Sequence, residues 1–134
     1  MMDDCAIEKL SSSKYKLLDN TLEQIKTDLV FVIIVGDQNS ITALKIKEVV
    51  DIFTHGISNK MNYLIDITKS GKVTHGARSI YKMLAEDEHT RRAGLFGLNP
   101  VARVLASFVI NTYKKDNLKF FSTRDDALQW LLEE

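Results

Sequence analysis

The stretch "LVFVIIVG" at residues 29–36 decides the fold. Leu29 to Val35 is an unbroken apolar run rich in β-branched residues, and Gly36 and Asp37 follow it. β-Branched residues favour strands, and a strand that is apolar at every position is typical of one covered on both faces. The run therefore predicts a strand at the centre of a sheet.

A helix pattern follows this strand. Asn39 or Ser40 can cap its start, because a short polar side chain accepts a hydrogen bond from the free N–H groups of the first turn. Apolar residues then recur at spacings of three and four, which predicts a helix packed on the sheet. These residues are Ala43, Ile46, Val50, Phe53 and Ile57.

The order strand then helix occurs four times. Alternation of this kind predicts βαβ units and a largely parallel sheet. The upstream residues 15–26 predict one or two short strands with a turn at Asp19-Asn20, which would add an N-terminal antiparallel strand or hairpin. We expect an α/β fold in a single domain over residues 1–134. The later strands are "YLIDI", "AGLFGL" and "LKFF", and their helices follow the polar bend at 68–76, the pair Asn99-Pro100, and Ser122 with Asp125.

The composition favours a globular protein without a charged partner. The chain has 134 residues, with 18 basic and 18 acidic ones, so its net charge is zero and no general field attracts nucleic acid or a membrane surface. The single cysteine, Cys5, has no intramolecular partner, which fits a reducing compartment and an unreactive free thiol. The acidic start lacks the features of a signal peptide, and the longest apolar run is too short for a membrane span. We expect a cytoplasmic protein.

Three segments resemble a known family. They are "LIDITKSGKVTHGARSIYKML", "RRAGLFGLNPVARVLASFVI" and "LKFFSTRDDALQWLLEE". Together they are similar to the small bacterial SpoIIAA-like or STAS-like proteins, which are related to anti-sigma-factor antagonists, and the resemblance runs over about residues 30–134. The resemblance implies a β–α superhelix and a role in binding or regulation rather than in catalysis.

The phosphorylation switch of the antagonists does not carry over. In those proteins an Asp-Ser pair begins the helix after the bend, and phosphorylation of the serine releases the partner. The corresponding residues here are Thr74 and His75. We therefore expect Thr74 to act as a helix cap and regulation, if present, not to run through phosphoserine at this position.

One edge of the predicted sheet collects candidate binding residues. The carboxyl ends of parallel strands and the starts of the following helices lie at the same edge, where free backbone N–H groups favour anions. The alternative is a solvated turn, because the bend lacks the glycine spacing of a phosphate-binding loop. The candidates are Asp37, Asn39, Thr68, Ser70, Lys72, Thr74, His75, Arg78 and Asn99.

No residue pattern indicates catalysis, a metal or a cofactor. His55, His75 and His89 have no spacing that places two of them on one helix face. Asp66 invites comparison with the phosphorylated aspartate of receiver domains, but the acidic pair that would hold magnesium is missing. We therefore predict no enzymatic activity, no metal site and no cofactor.

The helix that begins at Pro100 is apolar over more than one face. It could be buried between the sheet and a neighbouring helix, form a surface for self-association, or line a groove for an apolar ligand. We take Val104, Ala106 and Ile110 as candidates for a homodimer interface. The sequence thus predicts a non-enzymatic protein-interaction or regulatory module that forms homodimers, with a carrier or sensor of a small lipid-like or anionic ligand as the alternative.

Overall fold

The computed structural model describes residues 6–97, 99–113 and 115–133, and gives only the backbone for 105, 108, 110 and 112. Cys5 lies outside the described residues. The strands are β1 (Glu8–Lys9), β2 (Lys14–Leu17), β3 (Asn20–Lys26), β4 (Leu29–Gln38), β5 (Met61–Val73), β6 (Thr90–Phe96) and β7 (Leu118–Phe121). The helices are α1 (Ser40–Thr54), α2 (His75–Glu86), α3 (Pro100–Thr112) and α4 (Arg124–Leu132).

Within the described residues, the strands form one seven-stranded sheet whose spatial order equals their order in the chain. The pairs from β1 to β4 are antiparallel, and those from β4 to β7 are parallel. The predicted α/β fold is confirmed, and β4 is the central strand. The antiparallel part is larger than a single hairpin, because three strands precede β4.

The N-terminal turn lies one residue earlier than predicted. Leu18 and Asp19 form the turn, and Leu18 has the positive φ of 52° that a tight reversal requires. Asn20 is already the first residue of β3 and is fully buried. Its amide oxygen accepts a hydrogen bond from the Val35 N–H at 2.8 Å, which explains why a turn-type residue begins a strand.

The sheet separates two cores. Side chains of α1, α2 and α3 belong to the larger core, which also holds Val30, Val32 and Ile34 from β4. Helix α4 contributes Ala127, Trp130 and Leu131 to the smaller core on the other face. The short α4 packs on β5, β6 and β7, so the second face of β4 is covered less completely than the sequence predicts. Phe31, Ile33 and Val35 are accordingly half-buried.

Strand β5 continues through most of the predicted bend. It pairs with the end of β4 as far as Val73, opposite Gln38, although the register shifts twice on the way. Gly71 is needed there because a Cβ would collide with the Asp37 carboxylate. The predicted bend is wrong over residues 68–73, because hydrogen bonds to β4 outweigh the weak strand preference of these residues.

Helix α4 also begins one residue later than predicted. Thr123 is the N-cap, and its Oγ1 accepts a hydrogen bond from the Asp126 N–H at 3.2 Å. Ser122 is exposed between β7 and this cap. The predicted pairing of Ser122 with Asp125 is therefore wrong, because the neighbouring hydroxyl makes the capping bond.

Replacing Thr123 by alanine should lower the free energy of unfolding by about 1 kcal/mol, because one N–H of the first turn loses its acceptor. Ser122→Ala is the matched control and should change it by less than about 0.5 kcal/mol, as expected for a surface position. Urea denaturation of both variants measures the difference. A larger loss for Ser122→Ala would contradict the assigned cap.

Candidate functional site

Three of the predicted edge residues cap helices. The side chains of Asn39, Thr74 and Asn99 begin α1, α2 and α3, and each accepts a hydrogen bond from the backbone N–H three residues on, at 2.9, 3.2 and 2.8 Å. The predicted caps at Thr74 and Asn99 are confirmed. All three side chains lie at the same sheet edge, but their oxygens already satisfy helix donors.

Asn99 has a second role that the sequence did not reveal. Its Nδ2 donates to the backbone carbonyl oxygens of Ile67 at 3.3 Å, Thr68 at 2.8 Å and Ser70 at 2.9 Å. One amide therefore caps α3 and also fastens the helix to the irregular end of β5. This explains how α3 is positioned against β5 rather than only against the strands that it connects.

Two aspartate side chains near this edge accept hydrogen bonds from the backbone of β5. The Asp37 Oδ1 atom accepts a hydrogen bond from the Lys72 N–H at 2.8 Å, which joins the end of β4 to β5. The Thr68 N–H donates to Asp66 Oδ1 at 2.9 Å. The Lys72 side chain is exposed. The predicted edge is therefore real as a structural junction, and its use as a binding site remains a prediction.

Ser70, His75 and Arg78 line a cavity instead. The cavity has a volume of about 310 Å³ and lies between α2 and the sheet, with α1 on one side and α3 on the other. Its floor is formed by apolar side chains from the sheet, and Ala93 is the smallest of them. The floor residues include Val32, Ile34, Ile65, Ile67, Leu95, Leu118 and Phe120.

A buried glutamine fixes one end of the cavity. Gln38 is 1% exposed, and its Nε2 donates to the carbonyl oxygens of Val35 and Gly36, both at 3.1 Å, and to Asn20 Oδ1 at 3.3 Å. Its Oε1 accepts a hydrogen bond from the Tyr81 hydroxyl at 2.9 Å. The network therefore joins β3, β4 and α2.

The hydroxyl of Tyr81 remains a donor near neutral pH. Burial raises the pKa of Tyr81 well above its usual value, because the phenolate would lose its hydration. The sequence prediction missed both members of this pair. The sequence did contain a signal for Gln38. Val32, Ile34 and Gln38 are an even number of residues apart on β4, so their side chains lie on the same face of the sheet.

The mouth of the cavity lies along one face of α2. His75, Ser79 and Lys82 line the cavity, are exposed, and are spaced by four and three residues, so they share one helix face. Arg78 is half-buried beside them. On the opposite side are Val109 of α3 and residues beyond its end. None of the described lining residues is acidic, so the charged groups at the mouth are cationic.

Among the described residues, no group of three His, Cys, Asp or Glu side chains is placed to hold a metal ion. No helix in this part of the chain has both the length and the apolar character needed to cross a bilayer.

Two of the predicted interface residues on α3 differ in exposure, since Val104 faces solvent and Ala106 is buried. Val104 is 73% exposed and Val101 is 44% exposed, whereas Ala102 and Ala106 are buried. Ala106 therefore does not belong to an exposed interface, because it lies one turn beyond Ala102 on the core side. The side chain of Ile110, like those of Leu105, Phe108 and Thr112, lies outside the described residues.

The fold is that of SpoIIAA-like proteins. An uncharacterized protein of the DUF3478 family with a SpoIIAA-like fold, from Shewanella loihica PV-4, matches with a TM-score of 0.62 and 22% identity over 84% of this chain and 91% of its own. The anti-sigma-factor antagonist SpoIIAA in its unphosphorylated form matches with a TM-score of 0.55 and 13% identity over 84% of this chain and 96% of its own. These matches confirm the predicted resemblance at the level of the fold.

Residues 24–133 match a family model described as "Domain of unknown function (DUF7793)", and the chain belongs to that family. No curated protein matches the sequence. The family match begins within β3. It therefore includes strands β4 to β7, which form the cavity floor.

The double role of Asn99 can be tested by replacing it with aspartate. Asparagine and aspartate cap helices equally well, so the cap survives, but the Nδ2 donor is replaced by an oxygen that faces three carbonyl oxygens. We expect the free energy of unfolding to fall by about 2 kcal/mol or more. Denaturant titration gives this value.

Asn39→Asp is the matched control, since among the described residues the Asn39 side chain only caps α1. This change should alter the free energy of unfolding by less than about 0.5 kcal/mol. Equal effects of the two substitutions would show that the additional bonds of Asn99 contribute nothing.

Proposed function

We propose that this chain is a non-enzymatic regulatory module that acts by binding protein, first of all a second copy of itself. The observation that carries the proposal is the exposure of Val104, the most exposed large apolar side chain among the described residues. The SpoIIAA-like fold supports a role in regulation or interaction. The single cysteine supports a cytoplasmic site of action.

The homodimer is proposed to form through the exposed face of α3. Val101 and Val104 are three residues apart and therefore lie side by side on the helix. Each would lose contact with water if the same face of a second copy packed on it, as in a twofold dimer. The net charge of zero means that no overall repulsion opposes the approach of two copies.

Regulation through phosphoserine at the start of α2 forms no part of this proposal. The residues at that position are Thr74 and His75, and the Thr74 Oγ1 atom accepts the capping hydrogen bond from the Ala77 N–H. A phosphate on this oxygen would have to displace the cap or share it. The proposed control of the module therefore lies in association rather than in this hydroxyl.

Val104→Glu should give a folded monomer, because the side chain is exposed in one copy and a charge would be buried only in the dimer. Light scattering over a series of protein concentrations measures the mass, and a thermal melt checks folding. The free energy of unfolding of the monomer should change by less than about 0.5 kcal/mol, as at other surface positions.

Ala106→Glu is the control on the opposite side of the same helix. It places a charge where the structure has a side chain that is 4% exposed, so it should destabilise the fold by several kcal/mol. Wild-type protein that stays monomeric at high micromolar concentration would rule out the dimer. A Val104→Glu variant with the same mass as a wild-type dimer would rule out this interface.

A further inference from the structure

We propose that the cavity beneath α2 is a binding site for a small amphiphile with one apolar chain and an anionic headgroup. The apolar chain would lie on the sheet under α2, and the headgroup would lie at the mouth beside Lys82. This site is separate from the α3 face proposed for association.

The size of the cavity is that of a ligand site rather than of a packing defect. Protein interiors are close-packed and contain few voids larger than a water molecule. An engineered void of about 150 Å³ is already enough to bind benzene, and ligand sites begin at about 300 Å³. The cavity of about 310 Å³ thus suits a molecule at the small end of the ligand range.

The interior of the cavity suits an apolar chain. Its floor is built from aliphatic and aromatic side chains, among which Ile65, Leu95 and Leu118 are only half-buried. Two polar side chains of the lining, Gln38 and Tyr81, are hydrogen-bonded to each other. An apolar chain can therefore enter without separating polar groups from their partners, and it would remove the half-buried floor from water.

The mouth of the cavity selects for negative charge. Lys82 lines it, is exposed, and makes no hydrogen bond or ion pair among the residues that the structure describes. Arg78 and His75 lie on the same side of α2. Because none of the described lining residues has a carboxylate, an anionic headgroup would be attracted by Lys82 and Arg78 and a cationic one would be repelled.

The affinities of decanoate, decanol and decylamine, each below its micelle concentration, test this inference on the purified full chain. Displacement of the fluorescent probe 1-anilinonaphthalene-8-sulfonate gives the three dissociation constants. We expect decanoate to bind most tightly and decylamine most weakly. Absence of displacement by all three compounds, or equal affinity of all three, would overturn the proposal.

Lys82→Gln tests the headgroup. It should weaken decanoate binding about tenfold, as expected for the loss of one charge-assisted contact, and leave decanol binding unchanged. Lys72→Gln is the matched control, because Lys72 is also an exposed lysine but does not line the cavity. Equal effects of the two substitutions on decanoate binding would contradict a specific role of Lys82.

Ala93→Leu tests the position of the ligand's apolar chain, because the larger side chain would fill the floor of the cavity. It should reduce the binding of decanoate and decanol alike, with a melting temperature equal to or above that of the wild type because the void is filled. Leu95→Phe fills the same floor from a half-buried position and serves if Ala93→Leu does not fold. Unchanged binding by a folded variant would place the ligand elsewhere. None of these results depends on dimer formation, which light scattering measures separately.

Discussion

The hydrogen bond between Tyr81 and Gln38 is the constraint on which the arrangement of α2 depends. Gln38 is held on three other sides by acceptors from β3 and β4, so it cannot move toward the helix. The long tyrosine side chain therefore acts as a spacer between α2 and the sheet. At the far end of the helix, the Thr90 hydroxyl donates to the Leu84 carbonyl oxygen at 2.7 Å. Hydrogen bonds thus hold helix α2 both at Tyr81 and near its C-terminal end, and the cavity lies beneath it.

The polar side chains at the sheet edge position the helices. The expected polar side chains are present where the helices begin, and each of them caps its helix. They are Asn39, Thr74 and Asn99. Asn99 additionally ties α3 to β5. The polar groups at this edge thereby hold the three helices at fixed positions, and those positions define both the cavity and the exposed face of α3.

The two proposed binding surfaces differ in physical character. The face around Val104 consists of apolar side chains already in water, so association would gain free energy by removing them from it. The cavity is partly enclosed and combines an apolar floor with a cationic mouth. Because α2 and α3 both border the cavity, a ligand that fills it contacts the helix proposed to form the dimer.

The sequence alone determined the order of strands and helices, the central position of β4, and the caps at Thr74 and Asn99, because hydrophobic periodicity and capping are local properties. It did not determine the extension of β5 to Val73, which depends on pairing with β4, nor the burial of Ala106, which depends on how α3 is rotated. The Gln38–Tyr81 pair and the cavity were also decided only by tertiary structure. Residues 43 positions apart meet there, and an empty volume has no residue of its own to mark it in the sequence.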